Sequence, residues 1–581
     1  MGCQEDIFPK NKATNASCKK NLSGKIITNS NELKKVYLEH FIFRMRKRPI
    51  MPGLEQYERE IESSFNQILN ETKNVSIPDW TMKDLECALK ALKVSQSQDT
   101  MGLVNELFIP KNISSNLKTS LLIMFNTIKN NCFIPDFLRN VFITSIPKSK
   151  SKSPMELEGE RGIFLVPKLR VVLSKLIYNS IIDIIEDQLS QSNIGNRRNK
   201  SPRDHLFVAY AVINETVQSK DACCKDLVFT DVSQCFDSLW TQKTLIDLFS
   251  NGVKSNLLNL IHEISKSANI AIKTPVGNTE KGSIKDVIMQ GENLSGILCT
   301  STMDKMSQES KSKTLQYRDE ISIPKMGFVD DILDMNKCGK DIKNMHEETI
   351  EQLNKRKLQV NKDKSVRIHV RGRNSSSKCE ELYVDAWDLE KCKTETGFTL
   401  KDVYKGKTEV KTVEKYEYLG NIIEQKGSNK DTIKDRVNKC QGVIRDIGQI
   451  LEGCLFGDHF VEALKIMRNS KLVSVLTYNV EVIHNLEKSD ILALDKVDLQ
   501  LLRKSMMVSS KSARCLILLE LGLIPVEYII KQKRINFLYH LLTSEDQSLA
   551  KSVFTKQAKQ PMKGDFVKLV NKDMYECDLK W

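Results

Sequence analysis

The stretch "MGFVDDILDM" (326–335) sets two adjacent carboxylates, Asp330 and Asp331, between apolar runs that otherwise suit a buried strand. Neighbouring ionised Asp side chains repel each other and lose hydration when buried, so the pair is tolerated only in water or against a cation. The fold must therefore carry the pair to a strand end or a turn, at a surface where positive charge collects.

Another carboxylate has a similar setting. In "LVFTDVSQCFDSLW" a strand-like run from Leu227 to Thr230 ends in Asp231. A polar tetrapeptide then leads to Phe236 and a helix expected to stop near Asn251 and Gly252. An Asp at the end of one strand and a pair at the tip of a neighbouring hairpin can converge on one point. Three carboxylates there would gather Mg²⁺, which takes oxygen ligands and keeps water and phosphate oxygens in its other positions. Two such ions about 4 Å apart can activate an attacking hydroxyl and stabilise a leaving pyrophosphate.

An Asp-Asp pair alone is ordinarily a solvated turn. Other elements, in order, change that reading. "VIMQGENLSGILCTSTMDK" (287–305) offers Gln290 and Gly291 as a flexible turn before a helix, where backbone can approach a base or sugar. "LQVNKDKSV" (358–366) puts Lys364 in a turn after a helix, and "KYEYLGNII" (415–423) reads as a strand interrupted by Gly420.

With 581 residues, 40% of them hydrophobic, the chain has material for two to four lobes. Residues 1 to about 30 are polar and read as a disordered tail. From 31 to about 145 the apolar spacing is helical, as where Leu85, Ala88, Leu89 and Leu92 share one face. Between Asp226 and Ile368 short apolar runs alternate with helical segments, which indicates an α+β lobe with a sheet beneath helices. Residues 372 to about 415 read as a polar hairpin excursion, and helices return from Asp431 to about Leu542.

Eighty-eight Lys and Arg against 74 Asp and Glu give a net charge of +14, which favours a polyanionic partner. The 15 cysteines form no CxxC pair and the 8 histidines are scattered, so spacing reveals neither a zinc site nor a disulfide framework, and reduced thiols are expected. No run of 18 apolar residues and no signal peptide is present, so no membrane partner is expected and the protein is placed in the nucleus or cytoplasm, not secreted. The basic run "RMRKRP" (44–49) reads as a solvated face, a polyanion contact or a nuclear address, and is left without a role.

Taken together, these blocks resemble the reverse transcriptases, and within them those of non-LTR (LINE-type) retrotransposons. The likeness runs from about Glu32 to about Leu542. "FTDVSQCFDSLW" is similar to the family's motif A, "MQGENLSG" to motif B, "FVDD" to motif C, "NKDKS" to motif D and "YLG" to motif E. "ITSIPKSK" followed by "RGIFLVPKLRVVLSKLIYN" resembles the fingers segment, as "IGNRRNKSPRDHL" resembles a further block of the family. "LTYNVEVIHNLE" through "ELGLIPVEYIIKQKRINFLYHLL" resembles the thumb. The resemblance implies a right-hand polymerase: fingers with an N-terminal helical extension over 31–225, an antiparallel-sheet palm under helices over 226–425, a helical thumb over 426–545, and a tail over 546–581.

It also implies an RNA-directed DNA polymerase. Asp231 and Asp330, with Asp331 beside them, would hold two Mg²⁺ (or Mn²⁺) ions. Phe236 would lie under the incoming sugar and exclude a 2′-hydroxyl sterically. Lys148 and Arg161 would grip the triphosphate. Lys364 would protonate or neutralise the departing pyrophosphate. Gln290 and Gly291 would shape the pocket, while Tyr418, Leu419 and Gly420 would grip the primer. The implied partners are an RNA template, a DNA primer or nicked target DNA, and dNTP.

The chain departs from the family pattern in places. Gly162 and Gly296 stand where the family usually has Pro, and both are expected to loosen a loop. No endonuclease, Cys and His knuckle or RNase H is recognisable, which reads as a truncated element, a fragment, or a domesticated polymerase whose nick is made by an endonuclease supplied elsewhere. Two alternatives stand beside the polymerase: a catalytically inactive nucleic-acid scaffold of the same fold, against which the retained carboxylates count, and an RNA-dependent RNA polymerase, which Phe236 and "YLG" disfavour.

Overall fold

Residues Cys224–Asp231 have the apolar content of a strand covered on both faces, and all but Asp231 are buried. The computed structural model, which describes residues 18–20, 25–93, 98–147, 155–220, 223–289, 291–373, 379–394, 397–452 and 459–579, makes this the central strand of a five-stranded sheet. The sheet order is Met326–Phe328, Asp331–Lys337, Cys224–Asp231, Val366–Arg371, Lys411–Val413. Only the last pairing is parallel. The register between the two central strands pairs Asp231 with Asp331 and runs without a shift to Lys225 with Lys337.

Alternation along the central strand divides the molecule into two large cores. Leu227 and Phe229 join an apolar cluster with the C-terminal helices, including Lys430–Glu452, Lys488–Ser505 and Val526–Thr543. Val228 and Val232 face the opposite cluster, built with helices Met82–Lys90, Ser115–Asn131, Lys168–Glu186 and Asn293–Gln308. A smaller core lies between helix Ser30–Arg44 and a second sheet formed by Asn140–Pro147, Glu160–Leu165 and Ser267–Thr274. The mixture of helices and sheets is α+β. In helix Met82–Lys90 the buried residues are Leu85, Ala88 and Leu89, and a capping box between Thr81 and Asp84 starts it. Among the described residues no helix is long and apolar enough to cross a membrane.

The structure departs from several expectations. The C-terminal segment is not a tail: helices Leu549–Lys559 and Phe566–Glu576 bury Val553, Phe554, Phe566, Val567 and Val570 in the first core. These apolar residues recur at helical spacing, and that periodicity was the available signal. Within the expected N-terminal tail, Lys19–Lys20 pairs with Ile26–Ile27, and buried Lys19 is ion-paired with Glu160. The segment "KYEYLGNII" is a hairpin, Lys415–Tyr418 with Asn421–Glu424. Its two-residue turn, Leu419 and Gly420, has positive φ at both positions (47° and 84°).

Gly162 and Gly296 loosen nothing, because both lie inside regular elements where another chain segment comes close. A Cβ on Gly162, in strand Glu160–Leu165, would sit 2.6 Å from the Phe41 ring, and one on Gly296, in helix Asn293–Gln308, 3.1 Å from the Asn196 side chain. Cys224 and Cys338 form a disulfide, where reduced thiols were expected, because the central register carries the two strand ends together. The excursion after Arg371 is the long hairpin Tyr383–Thr394 with Gly397–Glu409.

Phe566 is fully buried against the rings of Phe207, Phe537 and Phe554. Phe566→Ala should cost about 3–5 kcal/mol, read as a lower urea midpoint. A loss below about 1 kcal/mol would mean that the last helix does not dock.

Candidate active site

The turn between Phe328 and Asp331 is two residues long, Val329 and Asp330, closed by the Phe328–Asp331 pairing. Val329 takes φ +59°, a conformation that favours glycine and costs a β-branched residue on the order of 1–3 kcal/mol. The turn is over-determined by what holds it. Asp330 O accepts from Val232 N–H at 3.2 Å, and segment 192–195 runs alongside, with Gly327 N–H donating to Ser192 O at 3.0 Å and Ile194 N–H to Gly327 O at 3.1 Å. Gly195 is the point of closest approach: a Cβ there would meet Val329 N at 2.5 Å. The block "IGNRRN" thus has a physical use for its glycine, which sequence reading alone did not find.

Asp231 is anchored from the other side. Its N–H donates to Ser365 Oγ at 3.1 Å, and its carbonyl accepts from Asn361 N–H at 2.8 Å, which locks the turn carrying Lys364 against the strand end. Lys364 Nζ lies 3.6 Å from Asp231 Oδ1, with its side chain 65% exposed, so the pair contributes well under 1 kcal/mol to stability. Asp231, Asp330 and Asp331 are all half-buried at one edge of the sheet.

The electrostatics follow from that crowding. Burial, then the charges of Asp330 and Asp231, push the Asp331 carboxyl up to about 7. Burial also raises Asp330, with Asp231 adding to the effect, whereas its backbone N–H, Lys364 and Arg161 oppose it. Arg161 is exposed and reaches the site through its field rather than by contact. Tyr416 is pushed up to about 12, by burial and then by Asp331 and Asp231.

Phe236 is half-buried in a short helix, Cys235–Ser238, and packs against the same cluster as Val329. The basic run 44–49 fixes this segment and is an internal clamp rather than a solvated face. Arg48 donates to Gln234 Oε1 (2.9 Å), Ser238 Oγ (3.3 Å) and Gln359 Oε1 (3.0 Å), and pairs with Asp402 at 2.8 Å. Arg46 pairs with the same carboxylate at 2.6 Å, and Arg44 reaches Asp237 at 3.1 Å. These partners lie in distant segments, so no local pattern could announce them.

Gly291, with φ +100°, precedes helix Asn293–Gln308. Glu292 beside it is buried and bound by Arg170 Nε at 2.9 Å and Ser174 Oγ at 2.5 Å, which seats the turn. Tyr418 is buried, 5.1 Å between ring centroids from Phe229, with its hydroxyl 3.3 Å from His205 Nδ1. It is core, and only the Leu419–Gly420 turn presents backbone. The carbonyls of that turn accept from Asn479 Nδ2 (3.3 Å) and Arg436 Nη2 (2.5 Å). Lys148 and Gln290 lie outside the described residues.

In metal-free protein, Asp331 keeps a proton up to about pH 7 while the unfolded chain releases its own near 4. The stabilising effect of that proton is therefore complete below about pH 4 and is lost as pH rises to 7. With chelator present, Asp331→Asn should gain thermal stability relative to wild type between pH 5 and pH 8. A difference independent of pH would mean that the carboxylates are not crowded.

Residues 146–423 match the family model described as Reverse transcriptase (RNA-dependent DNA polymerase). No curated protein matches the chain significantly. The matched span contains Asp231, Asp330, Asp331, Lys364 and the Leu419–Gly420 turn. Residues 146–423 thus match a reverse transcriptase domain, which indicates an RNA-directed DNA polymerase, a nucleotidyltransferase.

Proposed function

We propose that this is a reverse transcriptase of the non-LTR (LINE-type) retrotransposon kind, which extends a primer 3′-hydroxyl with dNTPs on an RNA template. The observation that carries this reading is the direct pairing of Asp231 with Asp331, with Asp330 in the adjoining turn. The order of motif-like blocks from Glu32 to Leu542 supports the non-LTR assignment. On this reading 31–225 serve as fingers, 226–425 as palm and 426–545 as thumb, and the helices after 545 extend the thumb.

Reverse transcriptases use divalent metal ions, and the donor set here fits them: three carboxylates, two of them held towards protonation by burial and mutual repulsion that a cation would relieve. Asp231, Asp330 and Asp331 would hold two Mg²⁺ or Mn²⁺ ions. When bound, such ions lower the pKa of the primer hydroxyl and offset charge on the phosphates. The primer 3′-hydroxyl gives up its proton to solvent and its oxygen bonds to the α-phosphorus as the bond from that phosphorus to the α–β bridging oxygen breaks, releasing pyrophosphate. Lys364, exposed beside Asp231, would reach the leaving group and give it a proton. Arg161, with Lys148, would oppose charge on the β and γ phosphates. Phe236, held by the Arg48 clamp through its neighbours Gln234 and Ser238, would exclude a 2′-hydroxyl. Gln290 and Gly291 would shape the nucleotide pocket. The Leu419–Gly420 turn would meet the primer backbone, with Tyr418 supporting it from the core. A non-catalytic scaffold has no use for three crowded carboxylates and is not favoured.

Purified protein given a primed RNA template, dNTPs and Mg²⁺ or Mn²⁺ should extend the primer, and Asp330→Asn should lower the rate at least about 10³-fold, the loss of several kcal/mol of transition-state stabilisation. Extension by the variant at the wild-type rate would overturn the assignment. Phe236→Ala should retain extension with dNTPs and raise incorporation of ribonucleotides at least about 10-fold, a discrimination of roughly 1.4 kcal/mol. Unchanged sugar selectivity would remove Phe236 from this role.

A further inference from the structure

We propose that Asp226, His369 and Cys379 bind a divalent transition-metal ion of the zinc class, on the face of the central sheet opposite the carboxylate edge. One donor atom from each of the three lies within 4.8 Å of the others. Asp226 and His369 are cross-strand partners, and side chains at paired positions share a face. Asp226 lies five positions before Asp231 on one strand, so the two point to opposite faces about 17 Å apart along the sheet. The proposal does not rest on the polymerase reading.

Two observations point to a ligand. Asp226 has no exposed surface and, among the described residues, its Oδ2 lacks a hydrogen-bond partner; His369 is 4% exposed and its Nε2 lacks one among them too. His369 Nδ1 touches Asp226 Oδ1 at 2.6 Å, which fixes the ring and leaves the other two atoms unspent. Burying a carboxylate with an unused oxygen beside an imidazole with an unused nitrogen is costly, and an ion ligated by one atom of each residue would offset that cost. Arg367 does not meet the need. Its Nη1 stands 4.0 Å from Asp226 Oδ2, and its donors are engaged by Thr412 Oγ1 and the Glu380 carbonyl.

The donor set names the metal. Mg²⁺ and Mn²⁺ prefer oxygen ligands, whereas a set of sulfur, nitrogen and oxygen suits Zn²⁺. Cys379 is only half-buried, so an ion has a way in, and a fourth position remains for water. Cys379 precedes the long hairpin that begins at Tyr383. An ion there would pin the root of that hairpin to strands Cys224–Asp231 and Val366–Arg371.

The test uses Co²⁺ as the probe and Zn²⁺ as the competitor, on full-length protein with the Cys224–Cys338 bridge intact so that those sulfurs are not counted. Wild type should show a thiolate-to-cobalt charge-transfer absorption that saturates at one Co²⁺ per chain and that Zn²⁺ abolishes. Cys379→Ser, at a half-buried position where folding is checked by thermal melting, should lose that absorption and bind Zn²⁺ at least 10-fold more weakly. His369→Gln should also weaken binding, while Asp330→Asn should keep the absorption. Absence of charge transfer in wild type, or its persistence in Cys379→Ser, overturns the proposal. Cobalt bound without a thiolate signal and lost in Asp330→Asn assigns the ion to the carboxylate edge and overturns it equally.

Discussion

The pairing of Cys224–Asp231 with Asp331–Lys337 is the constraint on which the rest of the molecule depends. Its register sets Asp231 opposite Asp331, and the same register delivers Leu227 and Phe229 to one core and Val228 to the other. Because side chains alternate at every residue, a slip of one position would send each core residue to the wrong face. Two large apolar clusters therefore hold the register, and the acidic edge inherits its geometry from hydrophobic burial rather than from attraction among its own groups. Those groups repel. The fold supplies the work of holding them together, and the strained φ at Val329, wedged against Gly195, is part of it.

What could be read beforehand was whatever is written locally. Asp231 at the end of an apolar run and Asp330 with Asp331 between two such runs needed only alternation and the cost of charge burial to be singled out. The helix at Leu85, Ala88 and Leu89 announced itself by spacing. What escaped is written across the chain. Nothing near Arg48 indicates that its partners are Gln234, Ser238, Gln359 and Asp402, and nothing near Gly162 indicates Phe41. The error at Gly420 was of another kind. A Leu-Gly pair between two apolar runs is a hairpin turn when φ is positive at both residues, and the linear pattern alone does not separate that from a break in one strand. The final helices were missed although their apolar period was visible.

The excess of positive charge also looks different once placed. Arg48, Arg170, Arg356 and Arg468 are buried and matched to carboxylates, so they hold segments together rather than face a polyanion. Among the described residues, the cations near the acidic edge, Lys364 and Arg161, are exposed to solvent. Charge counted along a chain mixes these two populations. Only their accessibility separates a structural arginine from one that can meet a phosphate.

The central strand has a further consequence for how the protein is made. It leaves the ribosome by residue 231, yet its first edge partner begins at Asp331 and its second at Val366. At about 5–20 residues per second, both edges of an apolar strand stay uncovered for roughly 5 to 20 s or more. Such an edge is a template for pairing with other chains. Synthesis of this protein therefore passes through a window in which that edge is open to mispairing before the native sheet can close.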